Sequence, residues 1–297
     1  MFSARLGFMR PDSVTDGVLW TPNDITSATI LAWFDATDSA DYVTEGGLVP
    51  ALLDKSSNNV VMVNSQGSKQ AIPGSTNGIP GLLFDGVDDF YSGQDVGPNL
   101  GDNKFRAADG YSFFTVVHVN RDSTEAQQMV HISTGSEIPG IDPKYNQNLL
   151  AQTMTPNHEY SQFIRTSRND GSGYTRPGTQ TVDWHLNYHG NNGTGGNNWY
   201  NVFNGDELRK QYTQSSHSDH TPYDRIAIGG MVRGWSAENG AYLFNNFANM
   251  TWNKTILFDK NLDLSDRQKL EGWAAHQLEL TDNLPADHPY KSVAPEK

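Results

Sequence analysis

"YSFFTVVHVN" (residues 111–120) decides the fold class. The run is rich in β-branched and aromatic residues, and both of its alternating sets carry apolar groups: Phe114 and Val116 with His118, against Phe113 and Val117 with Thr115. A strand shows one set to each of its faces, so this pattern predicts a strand lying between two layers. Similar short runs recur along the chain between clusters of Gly, Asn, Asp and Pro. They are "NVVMVN" (59–64), "GLLFDG" (81–86), "QMVHIS" (128–133), "NWYNVFNG" (198–205), "DRIAIGG" (224–230) and "MTWNKTILFD" (250–259). Strands at this spacing are expected of an all-β sandwich or barrel. In "YNVFNGDELRK", Asn204-Gly205 supplies the two positive-φ positions of a tight hairpin turn.

The bulk numbers agree. A chain of 297 residues with 36% hydrophobic content and 28 glycines suits short strands and long polar loops. No linker divides it, and "GNNGTGGNN" (190–198) reads as a loop between strands. The expected organisation is an N-terminal arm and lead-in over 1–26, interrupted by Pro11 and Pro22, then one sandwich domain with its helix over 27–281, then an extended tail over 282–297. A net charge of −13 argues against nucleic acid and anionic membrane surfaces as partners. With no cysteine, disulfides and thiolate metal sites are excluded. No apolar run has the length of a signal peptide or a membrane span, so neither is expected.

The end of the chain is different. In "LSDRQKLEGWAAHQLELTDNLPADHPYK" (264–291), Ser265 and Gln268 have capping-box spacing, and Asp266 would sit at the favourable end of the helix dipole. Leu270, Trp273, Ala274 and Leu278 fall on one stripe, which predicts an amphipathic helix docked on the sandwich and stopped before Pro285 and Pro289.

Three stretches carry a resemblance. "ATILAWFDATDSADYVTEGGLVPALLDKSSNN" resembles the opening of concanavalin A-like lectin/glucanase (LamG-like jelly-roll) domains found in bacteriophage virion proteins, where a "WxDAxD" strand leads through a hairpin to a "W-x-DKSGN"-type turn. Trp33, Asp35, Ala36 and Asp38 match the first motif and Asp54-Lys55-Ser56 the second, with Leu52 or Leu53 in place of the second tryptophan. "GIPGLLFDGVDDFY" is similar to the group's "P-x-L-x-FDGxDDYL" strand, and the closing stretch to its "LS-x-x-ER-x-x-IEGYLAHKWGL…LP-x-x-HPY" ending. Together they bracket residues 29–291. The resemblance implies a concanavalin A-like jelly-roll sandwich without catalysis, assembled with other virion proteins. Trp33, Asp35, Trp273 and Leu278 would be its structural anchors.

Laminarinase-type relatives of this superfold cleave glucans with two carboxylates spaced as E-x-D-x-E or E-x-D-x-x-E. No glutamate here has an aspartate two residues later, which sets that chemistry aside. Asp85, Asp88 and Asp89 are a candidate Ca²⁺ site, since hard cations take clustered oxygens. The competing reading, a Gly86-centred turn in which the aspartates bond the backbone, is preferred. His185 and His189 lie four apart, and "HSDH" offers His217, Asp219 and His220. A strand-to-loop setting does not converge such pairs on a transition metal as a helix does. Trp184, Tyr188, Trp199, Tyr200 and Trp235 lie in or beside Asn/Gly-rich segments and are the candidate glycan-stacking aromatics. The expected function is a non-enzymatic bacteriophage virion structural protein, a head decoration or a tail or baseplate accessory. It would form homo-oligomers in the particle, assemble in the host cytoplasm and bind host surface polysaccharide, with no cofactor. The alternative is a carbohydrate-binding module or a polysaccharide-degrading enzyme.

Overall fold

Every side chain of the strand Tyr111–Val119 is buried, and its two alternating sets enter different cores. This follows from a computed structural model, which describes residues 18–92, 100, 109–120, 127–133, 149–154, 160–165, 171–175, 183–193, 199–209, 225–236 and 241–297. The first strands are β1 (Ile30–Asp35), β2 (Tyr42–Glu45), β3 (Leu48–Leu52), β4 (Met62–Val63), β5 (Ile72–Thr76), β6 (Ile79–Asp85) and β7 (Tyr91–Ser92). Then come β8 (Tyr111–Val119), β9 (Gln127–Ser133), β10 (Leu149–Met154), β11 (Tyr160–Arg165), β12 (Gly171–Thr175) and β13 (Trp184–Asn191). The last are β14 (Trp199–Phe203), β15 (Asp206–Arg209), β16 (Arg225–Ile228), β17 (Met231–Ser236), β18 (Ala241–Asn245) and β19 (Asn249–Phe258), followed by helix α1 (Leu264–Gln277).

Among the described residues they form the expected all-β sandwich of two antiparallel sheets, with β17 and β18 as a separate two-stranded sheet and one α-helix at the C-terminal end. One sheet runs β15-β14-β13-β8-β19-β6-β5, with β1 also paired to β19; the other runs β12-β11-β10-β9-β16-β7-β4-β3-β2. The first core lies between the sheets. Tyr111, Phe113, Val117, Trp252 and Leu257 meet Met62, Tyr91, Val130, Ile132, Ile226 and Ile228 there. The second core covers the outer face of the first sheet, where Phe114, Val116, Trp184, Leu186, Tyr188, Ile256 and Phe258 meet Leu270, Ala274, Ala275 and Leu278 of α1. The helix therefore explains why the central strands are apolar on both sides.

Helix α1 starts two residues earlier than the Ser265–Gln268 spacing suggests. Asp263 is the N-cap, accepting from the Asp266 backbone N–H at 2.8 Å, so Ser265 is already helical and exposed. An aspartate caps as well as a serine, and here it frees Asp266 for a second task. The Asp266 carboxylate accepts from the Thr26 and Ser27 amides and from the Ser27 hydroxyl at 2.7 Å, tying the lead-in to the helix. Burial also extends beyond the expected stripe to Arg267, Glu271 and Gly272. Glu271 and Gly272 face the tail, where His288 Nε2 lies 3.1 Å from Glu271 Oε2 and a Cβ on Gly272 would stand 2.4 Å from that of Tyr290.

The tail is fixed in place along its length. The Lys291 ammonium donates to the carbonyls of Thr281, Asp282 and Leu284, and the His276 ring meets the Tyr290 carbonyl at 2.9 Å. At its end it pairs with the lead-in: Trp20 N–H donates to Pro295 O and Lys297 N–H to Val18 O, each at 3.0 Å. Trp20 itself enters the second core.

Candidate functional site

The chemistry concentrates where β1 ends. The Trp33 amide donates to Asp54 Oδ1 at 2.9 Å, and the Lys55 amide returns to the Trp33 carbonyl at 2.7 Å. Asp54 also accepts from the Ser56 amide and hydroxyl and the Val60 amide, while Asn58 Nδ2 donates to the carbonyls of Ile30 and Leu31. The "DKSSN" turn is thus a clamp on β1, and its carboxylate and amide are needed because they satisfy backbone groups that no strand pairs.

Beyond the clamp, β1 and β6 occupy the same edge of β19 end to end. Trp252 pairs with Leu82 of β6, and Lys254 pairs with Asp35 of β1. Asn253 bridges the junction, its carbonyl accepting from the Ala36 amide and its Nδ2 donating to Pro80 O, both at 2.7 Å. This register sets the buried Lys254 Nζ 3.1 Å from Asp35 Oδ2. The ammonium also donates to the Thr37 hydroxyl and to Gln277 Oε1 of α1, and it lies 4.5 Å from the centroid of the Trp273 ring. Trp273 meets Trp33 edge to face at 5.9 Å. Burial pushes the Asp35 carboxyl up, but Lys254 and the Thr37 hydroxyl and amide together hold it below the usual carboxylate range. Burial draws the Lys254 ammonium below the usual lysine range, against the pull of Asp35.

Over this buried pair opens a cleft of about 610 Å³, lined by Asp35, Ala36, Thr37, Asp38, Ser39, Asp41, Tyr42, Lys55, Pro80 and Gln277. Lys55 Nζ is 2.6 Å from Asp41 Oδ2 and lies 5.3 Å from the Trp33 ring centroid. Asp38 spends one oxygen on the Ala40 amide. Tyr42 is half-buried, and its hydroxyl is held up by burial and by the nearby Asp38 carboxylate. Carboxylates, hydroxyls, an amide, an ammonium and one phenol ring together offer closely spaced donors and acceptors beside an aromatic group. That set suits a polyhydroxylated ligand. Every lining residue comes from one of the three stretches that carry the resemblance. The glycan-stacking candidates of the sequence, Trp184, Tyr188, Trp199, Tyr200 and Trp235, are not among the lining residues. The sequence marks Asp35 as an anchor but gives no sign of Lys254 or Tyr42; the β1–β19 register brings Lys254 to Asp35, and the turn after β1 brings Tyr42 beside Asp38.

The other sequence-predicted residues are placed as follows. Trp184 and Tyr188 are each 1% exposed, packed in the second core under α1, so neither presents a ring to solvent. Their burial has a simple cause: they share their strand face with Leu186, and α1 covers that face. Trp199 and Tyr200 lie in β14 and Trp235 in β17, but their side chains fall outside the described residues. Asp85, Asp88 and Asp89 do converge, with carboxylate oxygens within 4.8 Å of one another. Asp85 Oδ1 accepts from the Val87 amide at 2.7 Å, and Asp89 Oδ2 from the Asp85 amide at 2.8 Å, with Gly86 at φ +77. This is the geometry of the backbone-bonding turn. Burial first, with the Asp85 and Asp88 charges adding to it, pushes the Asp89 carboxyl up to about 6. His185 and His189 are buried in β13 on the side opposite Trp184, and His189 Nε2 pairs with the Tyr111 hydroxyl at 3.0 Å. His217, Asp219 and His220 lie outside the described residues. Leu278 closes the helix, buried in the second core.

No family model matches the sequence, and no curated protein sequence matches it. Among solved structures, a Trypanosoma rangeli sialidase in complex with sialic acid is similar over 83% of this chain and 33% of its own length, at 12% identity and a TM-score of 0.51. The binding domain of botulinum neurotoxin serotype D/C is similar over 84% of this chain and 52% of its own, at 12% identity and a TM-score of 0.53. A botulinum neurotoxin type C structure, described as interacting with two ganglioside molecules, is similar over 82% of this chain and 51% of its own, at 10% identity and a TM-score of 0.53. The chain spans between a third and about half of these proteins. At such identities the likeness is one of fold, the β-sandwich.

Proposed function

We propose that this chain is a non-enzymatic recognition protein: a lectin-like sandwich displayed on the surface of a bacteriophage particle, as a head decoration or a tail or baseplate accessory, that binds host glycans through the cleft at the end of β1. The observation that carries this reading is the origin of the cleft. Its entire lining is drawn from the stretches that resemble the virion lectin-like group. Two of the structural neighbours are described with sialic acid or gangliosides, which supports a saccharide as the ligand class. A non-catalytic role is supported by the commitment of two of the three cleft carboxylates, which leaves only Asp38 of the lining without a cationic partner among the described residues. Asp35 is tied to Lys254 and Thr37, and Asp41 to Lys55. Glycoside hydrolysis with two carboxylates needs one kept protonated and one kept ionised at a fixed separation.

The display half of the reading predicts that an antibody to this chain labels intact particles released on host lysis; particles devoid of the chain would refute it. The recognition half predicts retention of the purified chain on a glycan array without release of reducing ends from host polysaccharide. Release of reducing ends would make the chain an enzyme instead.

A further inference from the structure

The charges around the cleft are unequal, and this bears on the class of ligand. Asp35 is neutralised beneath the surface by Lys254, and Asp41 is matched by Lys55. Asp38, exposed at the mouth, has no cationic partner among the described residues and accepts from the Ala40 amide. The cleft therefore carries a net negative charge inside a chain whose own net charge is −13. Both the local carboxylate and the wider field oppose an incoming anion.

Its hydrogen-bonding groups are better suited to neutral hydroxyls. Asp38 and Asp41 each keep one oxygen outside the contacts described above, and the Tyr42 and Ser39 hydroxyls and the Gln277 amide nitrogen supply further capacity. A vicinal diol can donate to the carboxylates while accepting from the amide and the ammonium, and charge-assisted bonds of that kind are the strong ones. A ligand carboxylate or sulfate has nothing to donate, and its approach would leave Asp38 facing like charge.

We infer that the cleft is a saccharide site selective for uncharged glycans, one that disfavours sialylated and sulfated ones. This rests on the proposed glycan-recognition reading and departs from the ligands described for the sialidase and neurotoxin neighbours.

The test uses the full chain on an array of matched pairs, such as lactose beside 3′-sialyllactose and neutral beside sulfated disaccharides. The neutral members that bind are then titrated by calorimetry against wild type, Asp38→Asn and Tyr42→Ala. Neutral glycans should bind, with their anionic partners at least about tenfold weaker. Asp38→Asn should narrow that gap, and Tyr42→Ala should weaken neutral binding at least about fivefold, with circular dichroism confirming that both variants are folded. Anionic members binding as well as neutral ones would overturn the selectivity while leaving glycan recognition standing. Binding untouched by both substitutions would overturn the site, and no binding of either class would overturn the recognition reading itself.

Discussion

Lys254 and Asp35 face each other directly across the β1–β19 pairing, 219 residues apart in sequence and 3.1 Å apart in space, both sealed from solvent. A buried ion pair is weak support for stability in its own right, because desolvation offsets much of the attraction. Its role here is positional. Through Thr37, Gln277 and the Trp273 ring the same ammonium joins β1, β19 and α1 at the floor of the cleft.

Removing only the cation should be expensive. Lys254→Met leaves Asp35 buried without its countercharge, and we predict a loss of about 3–5 kcal/mol by chemical denaturation. The double variant Lys254→Met/Asp35→Leu should recover most of that loss. If the single variant unfolds with the wild type, the pair is not coupled to folding.

Trp273 is half-buried and is wedged between Trp33 and Lys254. Trp273→Ala should therefore cost about 3 kcal/mol, the lower end of the range for a large aromatic. The same substitution should loosen Gln277 and reduce affinity at the cleft. Unchanged thermal stability would mean that α1 does not depend on this contact.

Asp89 binds its proton more tightly in the folded chain, at about 6, than its ordinary 3.8. Between those values the native state holds more protons than the unfolded one, so this residue's contribution falls as pH rises from about 4 to about 6. Asp89→Asn keeps an oxygen to accept from the Asp85 amide and removes the ionisation. The variant should match wild type near pH 4 and exceed it at pH 8 by on the order of 1–2 kcal/mol, solvent screening reducing the full effect of the shift. His131 and His189, both pushed down to about 3 by burial, act in the opposite sense, since they must charge on unfolding below about 6.5. The comparison with wild type at each pH cancels their contribution. A constant difference across the range would refute the assignment.

Alanine is a better helix former than glycine by about 1 kcal/mol, yet Gly272→Ala should destabilise the protein. The added methyl would meet the Tyr290 Cβ at 2.4 Å and drive the tail off the helix, an overpacking cost of about 1–3 kcal/mol. Limited proteolysis should then cut in the 285–297 segment first. A more stable variant with an intact tail would show that the contact is soft.

Much of the fold was legible because period-two patterning is robust. β8 carries apolar groups on both faces and does lie between two cores. Asn204 and Gly205 adopt φ 51 and 81, as their hairpin required. The aromatics of β13 were harder. Trp184, Leu186 and Tyr188 form an ordinary buried face, but His185, Asn187 and His189 are buried as well, so polarity gave no sign of which side met water. The cleft depends on pairings between distant strands, and no local pattern announces that Asp35 and Lys254 share a register. Asp263 and Ser265 are both competent caps for α1, and the bonds donated by Thr26 and Ser27 to the Asp266 carboxylate favour the earlier start.

The pairing of residues 18–20 with 295–297 has a mechanical consequence. The sandwich is entered and left at one point, so it can hang as a pendant from a single attachment, and a tension applied to its two ends would act first on that short clasp. Domains with adjacent ends tolerate insertion into a loop of another protein. Residues 18–297 grafted into an exposed host loop should therefore fold without disturbing either partner.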